Sequence, residues 1–142
     1  MDTIFRVAYG YLKNSADAED VTQEVLLRLY RTETDFDTDE HLKRWLIRVT
    51  VNCCKSLLRA PWRRQENLDD YAETLGFEQE DDTALFLAVM RLDRKYRLPL
   101  LLHYYDGYSV KEIGKLLKLP ENTVSTRLYR ARAKLRDILT EE

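Results

Sequence analysis

Apolar side chains recur along this chain every three or four positions and nowhere alternate for long with a period of two, so the pattern predicts helices throughout. Ile4, Phe5, Ala8 and Leu12 mark a first helix ending near Lys13-Asn14. Ser15 is placed to cap a second, with Asp17, Glu19 and Asp20 in a first turn whose free amides favour anions. This helix buries Ala18, Val21, Val25 and Leu29, with Leu26 beside them, and leaves Asp20, Gln23, Glu24, Leu27 and Arg28 on or near the opposite face. An acidic loop over 32–40 follows. Asp37 or Thr38 then caps a long helix, roughly 39–59, with Leu42, Trp45, Leu46, Val49, Cys53 and Leu57 as its apolar stripe. Ala60-Pro61 ends it, and Trp62-Arg63-Arg64 makes a basic, aromatic corner.

Residues 65–82 carry little periodicity beyond Leu68, Tyr71, Leu75 and Phe77, and read as an acidic linker with room for a short helical turn. Periodicity resumes at Thr83, with Leu85, Leu87, Val89 and Leu92 in one helix and Leu98, Leu100, Leu101 and Tyr104 in the next. Asp106-Gly107 turns the chain. Ser109 is then an N-cap with Glu112 three residues on, a capping box that satisfies the first free amides. Val110, Ile113, Leu116 and Leu117 give this helix its apolar side. Leu119-Pro120-Glu121-Asn122 breaks it and offers Asn122 as the next cap. In the last helix Val124, Leu128, Ala131 and Leu135 form one narrow stripe, while Ser125, Thr126, Arg127, Tyr129, Arg130, Arg132, Lys134 and Arg136 face outward. Two short helices about a tight turn, the second with hydroxyls near its start and cations after them, are the pattern of a helix-turn-helix: the early side chains reach base edges and the cations meet phosphates.

Charge sharpens this. The net charge of −2 over 142 residues points to no nucleic acid. Its distribution does: residues 1–60 carry −1, residues 61–83 carry −6 and residues 84–142 carry +5. The chain therefore reads as all-α, with two small helical domains, 1–60 and 84–142, joined by an acidic linker over 61–83. Cys53 and Cys54 are the only cysteines; neighbours rarely close a disulfide without strain, and no histidine cluster accompanies them to hold zinc. Reduced thiols, no signal-peptide pattern and no apolar run near the ~20 residues of a bilayer span point to a cytoplasmic protein without membrane insertion.

On the 39–59 helix, Arg44, Arg48, Asn52, Lys55, Ser56 and Arg59 share the side away from the apolar stripe. Such a row is either an ordinary solvated basic face or a track for single-stranded DNA, with cations on phosphates and polar groups receiving unstacked bases. Asp20, Gln23, Glu24 and Leu27 make a polar patch with an apolar edge, which on spacing alone reads first as a solvated face. Metal-dependent chemistry on Asp35, Asp37, Asp39 and Glu40, or on residues 78–82, finds no support: His41 and His103 are isolated, and no nucleophile-base arrangement is visible. No catalytic residue, metal site or cofactor is expected.

With AEDVTQEVLLRLYR (18–31), RWLIRVTVNCCKSLLR (44–59), LDRKYRLPLLLHYYDGYSVKEIGKLL (92–117) and NTVSTRLYRARAKLR (122–136), the chain resembles the extracytoplasmic-function sigma factors, promoter-specificity subunits of bacterial RNA polymerase. The resemblance covers about two-thirds of the chain in the family's order. It implies that Asp20, Gln23, Glu24 and Leu27 dock on core RNA polymerase. Asn52 and Ser56 are then base-reading positions for the melted −10 element, with Arg44, Arg48, Lys55 and Arg59 on the backbone. Ser125, Thr126, Tyr129 and Arg130 face the −35 element, beside Arg127, Arg132 and Lys134. It also implies promoter DNA as a partner and an anti-sigma protein as a further one. Two departures stand out. Family members usually carry more helix before the position matching Ile4, and Ser125 and Thr126 occupy positions where basic residues are common. The rival reading is a helix-turn-helix regulator acting on duplex DNA without polymerase, which needs neither the 20–27 patch nor the 44–59 face.

Overall fold

A computed structural model describes residues 3–59 and 80–140. The chain divides into two compact units, Met1–Tyr71 and Ala72–Glu142, and the regular elements among the described residues of each are α-helices. The corner at 62–64 and the apolar positions at 68, 71, 75 and 77 lie outside the described residues. Within the expected linker, residues 80–83 form the first turn of a helix.

In the first unit, helices α1 (Thr3–Leu12), α2 (Ser15–Arg31) and α3 (Asp39–Leu58) pack pairwise around one core. Seven of the ten residues of α1 are buried, Tyr9 and Tyr11 among them, because α1 is covered by both of its neighbours. The expected stripe of Ile4, Phe5, Ala8 and Leu12 is therefore too narrow, and Phe5 itself is only half-buried. Each large apolar side chain buried this way contributes about 1.5–3 kcal/mol. Lys13 ends α1 in the left-handed conformation, at φ 56°. The cap of α2 is Asn14, whose side chain accepts from the Asp17 amide at 3.0 Å, so Ser15 is the first helical residue and not the cap. Ala18, Val21 and Val25 are buried as the spacing predicts, but Leu26 is exposed.

Helix α3 is capped by Thr38, accepting from the His41 amide at 3.0 Å. Its buried row is Ile47, Thr50, Val51 and Cys54, a rotation from the predicted stripe, whose members are only half-buried. Thr50 can lie wholly in that core because its hydroxyl donates to the Leu46 carbonyl at 2.6 Å, which satisfies the polar group within the helix.

The second unit holds α4 (Glu80–Met90), α5 (Arg94–Tyr104), α6 (Val110–Leu117) and α7 (Glu121–Thr140), with α5 and α7 in contact over much of their length. α4 is apolar on nearly every side, so its sequence carries no phase. The structure buries Val89 and Leu92 as expected, but buries Phe86 and Met90 in place of Leu85 and Leu87, which are exposed. In α5 Leu98, Leu100 and Leu101 are buried, whereas Tyr104 is 60% exposed. Arg97, on the same helix, is fully buried and donates from Nη1 to the Leu92 carbonyl at 2.9 Å, tying α5 to the end of the α4 segment.

Candidate nucleic-acid interface

The turn between α6 and α7 is built from its caps. Ser109 Oγ accepts from the Glu112 amide at 3.1 Å while Glu112 Oε1 accepts from the Ser109 amide at 3.0 Å, the reciprocal box expected there. Lys118 leaves α6 in the left-handed conformation (φ 60°, ψ 50°), and the Leu119 amide reaches back to the Gly114 carbonyl at 2.8 Å. This brings the Leu119 backbone over Gly114 so closely that a Cβ there would lie 2.8 Å from its carbonyl oxygen. The Val124 amide then bonds the Pro120 carbonyl at 3.1 Å. Pro120 is thus the cap of α7, and Asn122 is its second residue rather than the cap, because the proline carbonyl already takes the first helical bond.

α7 docks through Val124, Leu128 and Ala131, all but fully buried, with Leu135 half-buried beyond them. Opposite, Ser125, Thr126, Tyr129 and Arg130 are exposed, Tyr129 to 74%. Arg127 is half-buried on the flank. Two predicted contacts are drawn toward α5: Arg132 Nε donates to the Tyr104 hydroxyl at 2.9 Å, and the Lys134 ammonium lies over the Tyr96 ring, 5.4 Å from its centroid. Tyr104 is exposed because it holds Arg132, a role its place in an apolar series concealed.

In the first unit the rotation of α3 decides which side chains face solvent. Asn52 and Ser56 are exposed one turn apart, and Arg48 is exposed one turn before Asn52. Arg59 is exposed with its Nη2 3.5 Å from Ser56 Oγ. Arg44 and Lys55 lie half-buried along the edge, Arg44 in an ion pair with Glu40 at 2.9 Å. Trp45, assigned to the core by its spacing, is two turns from Asn52 on the same side; Phe36 packs edge-on against it with ring centroids 5.6 Å apart, and His41 packs on Phe36 at 5.2 Å. Sequence reasoning missed this aromatic group. The signal was present in Phe36, the one large apolar residue of an otherwise acidic loop. Rings beside exposed amide and hydroxyl groups can stack an unpaired base while the polar groups bond its edge.

On α2, Asp20, Gln23, Glu24 and Leu27 are all exposed on one side, with Glu24 paired to Arg28 at 3.2 Å. The patch is more apolar than its spacing suggested, since Leu26 and Leu27 are nearly half exposed and Tyr30 is 89% exposed. Between α2 and α3, burial raises the Cys53 thiol above its ordinary value, with the Arg28 charge pulling down and Glu24 pushing up. Cys53 is therefore a neutral packing group at physiological pH. Among the described residues no cluster of three or more His, Cys, Asp or Glu is arranged to hold a metal, and no helix is long and apolar enough to cross a membrane.

Residues 1–64 match sigma-70 region 2, and residues 83–135 match sigma-70 region 4. The ECF RNA polymerase sigma factor SigW of Bacillus subtilis (strain 168) is 30% identical over 158 residues, which take in 99% of this chain and 84% of that protein. The chain belongs to the extracytoplasmic-function sigma factor family. The sigma-E factor of Escherichia coli (strain K12) is 31% identical over 136 residues, covering 83% of this chain and 71% of that one. The fold matches the sigma factor RpoE of Bartonella quintana, solved in complex with the anti-sigma factor NepR, at a TM-score of 0.71 and 20% identity over 96% of this chain and 89% of that one. A helix-turn-helix regulator acting without polymerase is not favoured, because it leaves the region 2 match unaccounted for.

Proposed function

We propose that this chain binds core RNA polymerase and brings it to promoters by contacting two DNA elements, performing no covalent chemistry itself. Asp20, Gln23, Glu24 and Leu27, with Tyr30 beside them, dock on the polymerase. Asn52 and Ser56 take hydrogen bonds from or to an extruded −10 base, the Phe36–Trp45 pair offers it a stacking surface, and Arg44, Arg48, Lys55 and Arg59 hold the flanking phosphates. Ser125, Thr126, Tyr129 and Arg130 address the −35 major groove, while Arg127, Arg132 and Lys134 meet its backbone. An anti-sigma protein that covers these faces would hold the chain inactive.

The observation that carries this reading is the union, on one polypeptide, of a region 2 match and a region 4 match, each with a polar, cation-bearing helix face left exposed by its own core. Division of labour follows from the physics. A groove-docked helix reads duplex DNA without distorting it, whereas reading an unpaired base repays an unstacking cost of a few kcal/mol. The test is reconstitution. The full chain should co-purify with core polymerase and support initiation from promoters selected out of a random library. Absence of a complex with core, alongside retained duplex binding, would return the chain to the plain regulator class.

A further inference from the structure

Beside the expected groove-reading surface of α7, a cavity of about 350 Å³ opens between the start of that helix and the start of α5. Lys95 lines it from α5, and Arg127 and Arg130 line it from α7, with Asn122, Thr123 and Thr126 between them. No carboxylate is on its wall. Among the described residues the ion pairs of Arg28 and Arg44 have carboxylate partners, whereas Lys95, Arg127 and Arg130 have none. Lys95 is exposed, yet its position is defined, with the ammonium 5.1 Å from the centroid of the buried Tyr96 ring. Three unpaired cations facing one open cavity repel each other, and an anion among them turns that repulsion into attraction. The first turn of α7 adds amides whose partial positive charge points the same way.

We infer that this cavity seats a backbone phosphate of the DNA read by α7, and that Lys95, a residue of the helix ahead of the helix-turn-helix, is a positioning contact for that interface. The inference rests on the groove reading given above and extends it. A phosphate held by Lys95 together with Arg127 fixes how far α7 enters the groove, and it does so from outside the recognition helix. Such a contact is blind to sequence: it sets register and affinity while the exposed residues of α7 set preference.

The test uses the full chain, a duplex carrying a promoter selected with reconstituted holoenzyme, and a scrambled duplex of equal length, with affinities measured between about 50 and about 200 mM salt. One phosphate contact contributes about 0.9 to the slope of log affinity against log salt, so its loss makes the fall across that range about 3.5-fold shallower. Lys95→Gln should show this change and weaken both duplexes alike, and Lys95→Arg should restore the parent slope. An unchanged slope in Lys95→Gln, or a loss confined to the selected duplex, overturns the phosphate seat. So do saturable shifts of the Asn122 and Thr123 amide resonances with submillimolar inorganic phosphate at constant ionic strength, which would assign the cavity to a free anion. The parent's preference for the selected duplex tests the groove reading separately and survives failure of the seat, whereas a parent that binds neither duplex removes both.

Discussion

Gly114→Ala sets local propensity against tertiary structure and asks which wins. Helix propensity alone favours alanine here by about 0.8–1.0 kcal/mol. The added Cβ, however, would stand 2.8 Å from the Leu119 carbonyl oxygen, where ordinary contact begins at 3.4 Å. The obstacle is backbone and cannot rotate aside, so the Leu119 peptide must retreat by about 0.6 Å, the difference between those two distances. Overpacking of this kind costs about 1–3 kcal/mol. The same movement strains the 2.8 Å bond from the Leu119 amide to the Gly114 carbonyl, a bond of about 0.5–1.5 kcal/mol. Set against the propensity gain, the net is a destabilisation of about 2 kcal/mol, with a range of about 0.5–3.5. Because the chain has two units, amide exchange of α6 and α7 is a better readout than a single melting curve. Exchange governed by opening of this unit should be about thirtyfold faster in Gly114→Ala. Lys118→Gly, which relieves a lysine held at φ 60°, should slow exchange, because about 1–2 kcal/mol of left-handed strain exceeds the ~0.4–1 kcal/mol by which glycine's flexibility favours the unfolded chain. Exchange in Gly114→Ala equal to or slower than the parent would refute the reasoning and show that the turn relaxes without penalty.

The other outcomes concern binding. Glu24→Lys should weaken association with core polymerase while circular dichroism stays helical; it also removes the exposed Glu24–Arg28 pair, which contributes only about 0.3–0.5 kcal/mol, and unchanged affinity for both Glu24→Lys and Gln23→Ala would remove the α2 docking assignment. Arg130→Ala should lose about 1–3 kcal/mol of duplex affinity; relaxed preference at one position marks a base contact, a uniform loss marks a phosphate contact, and no loss in a gel-shift titration argues against groove docking by α7. The double variant Asn52→Ala, Ser56→Ala should bind core polymerase and duplex upstream DNA normally yet open promoters poorly, seen as weaker permanganate reactivity of unpaired thymines, and full opening with unchanged preference would place base capture elsewhere.

The helix-turn-helix was the most legible part of the chain because its signals are local. A capping box spans four residues, a breaker spans four, and α7 has one narrow stripe, so periodicity gave both its core and its exposed side. The α2 side chains were legible for the same reason, since Ala18, Val21 and Val25 fix one face and place Asp20, Gln23 and Glu24 opposite. Caps were less so: Ser15 and Asn122 each had a neighbour, Asn14 and Pro120, that took the role.

What the sequence determined by itself was the all-helical class, the turn at 106–109, the basic C-terminal half and the apolar stripe of α7, all properties of residues within a few positions of one another. Tertiary packing decided the rest. Helix α3 has apolar residues around most of its circumference, so its rotation depended on α1 and α2, and Thr50 entered the core only because a 2.6 Å bond to its own helix satisfied the hydroxyl. Trp45 and Asn52, seven residues apart, share a side of any α-helix, but only the fold brought Phe36 from its loop onto Trp45. The cavity of Lys95, Arg127 and Arg130 joins residues more than thirty positions apart. No periodicity encodes such a meeting, because it is set by how two helices pack and not by the pattern within either.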